Sequence, residues 1–208
     1  IIRKSGSIKL KNINLKIVSG PFGSSLKSSE YTSEGIPFIR ISDLENFFIK
    51  KTDLVYISEH SNSKIKGSQL FTSDLVLSKV GNSIGIVSIL DEEFSRVNIS
   101  ENNIGIRFGA NVDPEIKSFL VVYLNSKYGQ NEILRRRSGN AQPKLNVSDI
   151  YDLEMPNISS NDKNYIHEIV TKIKHLTKSS QSLYNQAQQT LERELGLDKL
   201  VFDKPLSY

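Results

Sequence analysis

The sequence predicts an α+β fold, a strand-rich globular domain followed by one long protruding helix of coiled-coil type. Three observations carry this. Short β-branched and aromatic runs, punctuated by glycine and proline, fill the chain up to Pro156. A proline-free tract from Tyr165 to Leu195 then repeats apolar residues at heptad spacing. Between them, Met155-Pro156 and the polar segment Asn157 to Asp162 mark a change of character. The chain is thereby divided into a globular domain over residues 1–157, a helix over 158–195 and a connector over 196–208.

The strands come first. Residues 8–18 (IKLKNINLKIV) alternate apolar and polar and read as one half-buried strand. Gly20 to Ser25 breaks it with a loop. Ile36 to Ile41 and Leu75 to Val80 are strands by composition. Gly81-Asn82-Ser83 turns the second back into Ile84 to Leu90, and Ile104 to Phe108 is another short strand. Asp113 and Pro114 open a helix over Glu115 to Leu124. A further helix is predicted from Gln130 to Arg137, stopped by Gly139, with loop from Ala141 to Asp149.

In the long tract, Ile166, Ile173, Ser180, Ala187 and Glu194 form one heptad set, and Ile169, Leu176, Leu183 and Thr190 the interleaved one. At 1.5 Å per residue this is a rod of roughly 45 Å. Its seam needs a partner helix, with Ile166, Ile169, Ile173, Leu176, Leu183 and Ala187 as the contact residues.

With 38% hydrophobic and 24% charged residues, the composition is that of a globular protein. No apolar run approaches the ~20 residues of a membrane span, so no membrane is expected as a partner. There is no cysteine, which excludes disulfide and thiolate chemistry and fits the cytoplasm. The chain opens on Ile1 rather than Met and without a signal segment, which points to a piece of a longer protein.

Catalysis finds no constellation. No Gly-Lys-Ser/Thr triplet closes a P-loop, and no Gly-x-Ser-x-Gly elbow or Asn/Asp-Pro-Pro-aromatic methyltransferase segment occurs. His60, His167 and His175 lack metal-ligand spacing, so no metal is expected. Asp91 with Glu115 to Lys117 can be stretched into a nuclease-like carboxylate-lysine set. However, Asp113-Pro114-Glu115 is already explained as a helix start.

Charge is more informative. The net charge is +4, but it is concentrated. Arg3, Lys4, Lys9, Lys11, Lys16 and Lys27 precede the first acid, and Lys127, Arg135, Arg136, Arg137 and Lys144 form a second basic segment around Glu132. The region between is mildly acidic. Two positive segments indicate a polyanion. Arginine forks suit phosphates and guanine edges, Asn140 and Gln142 suit adenine, and Ser138 and Lys144 suit phosphates. Consecutive arginines on a helix point in different directions, so at most two of the three can face one partner. Lys79 and Asn82 stand at a strand end and turn, where β-rich scaffolds present side chains to ligands. Alanine at Arg135 and Arg136 is expected to weaken binding and flatten its salt dependence.

The ordered set of segments resembles a known family. Gly20-Pro21-Phe22-Gly23-Ser24-Ser25-Leu26 followed by Gly35 to Leu44, then Asp74 to Gly81, Ser138 to Leu145, Met155-Pro156, the long helix and the tail Leu191 to Tyr208 are together similar to the DNA target-recognition domain and spacer helix of type I restriction-modification specificity (S) subunits. The resemblance implies recognition of one half of a bipartite double-stranded DNA site by a non-catalytic subunit, in the cytoplasm of a bacterium or archaeon. It also implies methyltransferase subunits that bind S-adenosylmethionine, so that this chain itself needs no cofactor, and a restriction/translocase subunit. A second spacer helix, from a missing half or from a homodimer, would cover the seam. Family motifs mark scaffold more than base readout. The DNA-binding candidates are therefore chosen by chemistry: Lys27, Lys79, Asn82, Arg135, Arg136, Arg137, Asn140, Gln142 and Lys144. Two alternatives are the recognition domain of a single-chain methyltransferase-nuclease and a non-DNA coiled-coil interaction module.

Overall fold

Alternating side chains along three adjacent strands set the layering. In β2 (Leu15–Ser19), β7 (Leu75–Ser78) and β10 (Asn103–Phe108), Ile17, Leu75, Leu77, Ile104 and Ile106 join one core, while Val18 and Val76 join another on the opposite face. The computed structural model describes residues 6–139 and 143–197. It divides into two units, Ile1–His167 and Glu168–Tyr208.

Within the first unit, β2, β10, β7 and β8 (Val87–Ile89) form an antiparallel sheet in that order. A second sheet has the order β3-β5-β4-β9-β6, from β3 (Tyr31–Thr32), β4 (Ile36–Ile39), β5 (Val55–Ile57), β6 (Leu70–Phe71) and β9 (Arg96–Ile99), with β4 and β9 parallel. The main core lies between the first sheet and helices α2 (Pro114–Asn125), α3 (Lys127–Arg135) and α4 (Val147–Tyr151), which bury Phe119, Leu120, Leu124, Ile133 and Ile150. The second core joins the two sheets through Val18, Val76, Leu90, Ile39, Leu70, Val97 and Ile99. Gly105 permits that approach, since a Cβ there would lie 2.6 Å from Leu70 Cδ2. A third cluster, Leu26, Ile36, Phe38, Ile57 and Ile65, covers the far face beside helix α1 (Glu59–Lys64).

Several expectations are corrected. The alternating run 8–18 is two strands, β1 (Ser7–Lys9) and β2, because Leu10 turns inward to full burial and its N–H donates to the Leu153 carbonyl at 2.9 Å. β1 pairs instead with β11 (Glu154–Pro156). The second helix starts and stops earlier than predicted, at Lys127 and Arg135. The Ser126 hydroxyl caps it by accepting the Gly129 N–H at 3.2 Å, and Arg136 is its C-cap. Residues expected as loop contain α4, opened by Asn146 and Asp149, whose carboxylate accepts the Asn146 N–H at 2.7 Å. The long helix α5 spans Ser160–Glu194, inside the expected 158–195, and the Ser159 hydroxyl caps its start by accepting the Asp162 N–H at 3.1 Å.

Asp74 ties the two sheets. Its buried carboxylate accepts the N–H groups of Phe71 at 2.8 Å and Phe108 at 2.9 Å. Asp74→Ala strands both donors and is expected to cost about 3 kcal/mol in urea unfolding. Burial pushes the Asp74 pKa up, against the pull of the two N–H donors. The folded state therefore holds this proton more tightly than the unfolded chain. The carboxyl's contribution to stability falls as pH rises from the unfolded value, about 3.9, through the raised folded one. That slope should vanish in Asp74→Asn.

Candidate nucleic-acid interface

Five strands of the two larger sheets, β2, β7, β10, β4 and β9, have ends that meet in one place. Ser78 of β7 pairs with Asn103 of β10, and Ile104 pairs with Ser19 of β2. Ile39 of β4 pairs with Ile99 of β9, and the Ile39 carbonyl accepts both the Ser100 N–H and the Asn103 side-chain amide at 2.9 Å. The loops that leave these ends gather there: 20–30, 40–43, 79–86 and 100–102. Ser138 and Lys144 join them. Ser138 and Lys144 exchange two main-chain hydrogen bonds of 2.9 Å, Lys144 bridges Val80, and the Leu145 N–H donates to the Lys79 carbonyl at 2.9 Å.

Four of the predicted DNA-binding residues sit on this end. Lys79 is half-buried, with its Nζ donating to Ser19 Oγ at 2.8 Å. Burial holds its ammonium below the ordinary lysine value, with Glu101 raising it and Lys144 lowering it further. Lys144 is exposed beside it. Asn82 is exposed in the turn Gly81–Ser83, which Ser78 braces by donating to the Ser83 carbonyl and accepting the Ile86 N–H at 3.1 Å. Lys27 is exposed at the start of the turn Ser28–Glu30. Its loop leans on Glu101, whose carboxylate accepts the Gly23 N–H at 2.6 Å. Among the described residues no carboxylate forms an ion pair with the Lys27 or Lys144 ammonium, although Glu30 accepts the Lys27 backbone N–H at 3.1 Å.

The arginines divide. Glu132 pairs with Arg135 and, at 3.2 Å, with Arg136. Arg136 also donates to the Asp152 carbonyl at 2.6 Å and is 26% exposed, so it staples α3 to the turn after α4. Arg135, 70% exposed, and Arg137 instead line an open cleft of about 530 Å³ with Tyr128 and Asn131. No hydrogen bond or ion pair among the described residues joins the three arginines to Lys79. Asn140 and Gln142 lie outside the described residues. The turn Ser100–Asn102 was missed by sequence reasoning, although its polar run between two apolar strands is a turn signal.

On the long helix, Ile166 packs against the main core. Ile169, Ile173, Leu176 and Leu183 are 38–65% exposed, and Ala187 is exposed. Among the described residues there is no cluster of His, Asp or Glu that would hold a metal, and no helix is long and apolar enough to cross a membrane. His167 shares a 2.9 Å hydrogen bond with Ser118.

No protein-family model matches the chain. It is 27% identical over 175 residues to the type I restriction enzyme EcoBI specificity subunit of Escherichia coli, covering 82% of this chain. The chain is a relative of type I specificity subunits. It spans 35% of the length of that curated relative. The α+β fold with its long helix is that of the specificity-subunit structures. The type I restriction-modification S subunit of M. genitalium superposes with a TM-score of 0.56 at 16% identity, over 91% of this chain and 44% of that one. The type IIG restriction endonuclease BpuSI shares the fold too, with a TM-score of 0.57 at 14% identity, over 81% of this chain and 26% of that one.

Proposed function

We propose that this specificity-subunit relative reads one half of a bipartite double-stranded DNA site through the loop-bearing end of its globular unit. The observation that carries the reading is the convergence of Lys27, Lys79, Asn82 and Lys144 on one end of two sheets, where the carboxylates of Glu101 and Glu30 accept the backbone N–H groups of Gly23 and Lys27. Lysines there neutralise phosphates and release counterions, and the polar turn and the segment Ser138 to Lys144 meet base edges. Arg135 and Arg137 form a second cationic surface, while Arg136 is committed to the fold.

On this reading the chain is a non-catalytic specificity component acting in the cytoplasm of a bacterium or archaeon. It works with methyltransferase subunits, which bind S-adenosylmethionine, and with a restriction/translocase subunit. A second spacer helix covers Ile169, Ile173, Leu176, Leu183 and Ala187. The fold shared with BpuSI keeps a single-chain enzyme as the second reading. The sequence relative is a specificity subunit, which favours the first.

The test is the methylation pattern of a host genome carrying the full-length protein and its methyltransferase. Exchange of residues 1–157 for another recognition domain is expected to change one half of the methylated motif and leave the other. Methylation that persists with an unchanged motif refutes the reading.

A further inference from the structure

Phe22 is 84% exposed, more than any other large apolar side chain among the described residues. Tyr128, by comparison, is 63% exposed, and Phe71 is 42% exposed with the Arg107 guanidinium 5.5 Å over its ring. Scattered exposed apolar groups are ordinary. This one stands on a braced support. Just before it, the Gly20 N–H donates to the Asn103 carbonyl at 3.1 Å. Just after it, the Gly23 N–H is held by Glu101 at 2.6 Å, and the Phe22 carbonyl accepts the Ser25 N–H at 2.8 Å. Pro21 restricts the backbone further. The ring stands at the rim of an open cleft of about 580 Å³ that it shares with Leu26, Lys27, Phe38 and Arg40.

We propose that Phe22 is an aromatic wedge that stacks on a base step of the bound duplex. The inference rests on the DNA-reading function proposed above and adds an apolar interaction that charge alone does not reveal. Three features favour DNA as the occupant. The ring leaves the same strand ends as Lys27, Lys79 and Lys144. Cations that fix the phosphates put an adjacent apolar group at the base stack. Proteins that deform duplexes insert apolar side chains of this kind between base steps, and aromatic stacking tolerates many sequences.

The experiment uses the full-length protein and a short duplex carrying the motif found by the methylation test, with 2-aminopurine placed at successive positions. Wild type is expected to brighten the probe at one step, where the base is unstacked. Phe22→Ala should abolish that signal and weaken binding about tenfold or more, without changing the salt slope, because no charge is removed. Phe22→Trp should keep both signal and affinity. Lys144→Ala is the control, expected to weaken binding and reduce the slope. If Phe22→Ala binds like wild type, or no step brightens in a wild-type complex that forms normally, the wedge is refuted and DNA reading stands. If Phe22→Ala blocks only assembly with the methyltransferase subunit, the ring belongs to a protein interface and the wedge is likewise refuted. A wild-type protein that does not bind the duplex removes the DNA reading and the wedge together.

Discussion

Gly20→Ala is expected to lower stability by about 3 kcal/mol or more and to abolish DNA binding with it. Gly20 ends the first sheet and enters the exposed loop. A Cβ there would fall within the Ser100 carbonyl and 2.8 Å from the Glu101 amide nitrogen. These are backbone atoms, so no rotamer change relieves the clash. The loop or the Ser100–Asn102 turn must move, and the turn's place is fixed by the Ser100 N–H to Ile39 and the Lys79 N–H to Asn102. Thermal unfolding should shift downward by roughly 6–12 °C in a chain of this size. Gly67→Ala is the matched control, because nothing lies within 4 Å of a Cβ there. A Gly20→Ala protein with wild-type melting would mean that the two loops do not brace one another.

The second large effect is electrostatic. Alanine at both Lys79 and Lys144 is expected to reduce the slope of log affinity against log salt by about two, one for each phosphate left without its lysine. Affinity should fall about tenfold or more for each lysine. Because the Lys79 ammonium also bonds Ser19, a fall in melting temperature would report that tie, and the exposed Lys144→Ala separates the two effects. Arg136→Ala should behave oppositely. Its guanidinium is spent on Glu132 and the Asp152 carbonyl, so the variant should lose stability and keep its salt slope. Expected losses of affinity at the arginine run therefore belong to Arg135 and Arg137. An unchanged slope in the double lysine variant would move phosphate binding to that second surface.

What the sequence made legible follows from how local each signal is. The strand at Leu75, the turn at Gly81 and the long helix are contiguous local patterns, and the structure has them, with the return strand expected from Ile84 to Leu90 shortened to Val87–Ile89. β3 and β6 have two residues each, too few for any period to register. β9 pairs in parallel with β4 across a long stretch of chain, a relation that no window can contain. Leu10 fits an alternating strand in sequence, yet it turns into the core because the Leu153 carbonyl waits for its N–H. The candidate site shows the same limit. Cationic composition marked Lys79 and the arginines, but composition is blind to partners, so Arg136 looked as free as Arg137. Phe22 is one letter of a motif in the sequence, since its exposure depends on Asn103 and Glu101, far along the chain.

The pairing of Ser138 with Lys144 has an evolutionary consequence. The two residues are joined by two main-chain hydrogen bonds, which the Ser138 hydroxyl supplements by donating to the Lys144 carbonyl at 3.4 Å, and the next anchor, Leu145 on Lys79, is again backbone to backbone. Closing this frame takes backbone groups, which every residue type except proline provides, so the identities of Ser138 and Lys144 can drift over generations while the sheets beneath stay as they are.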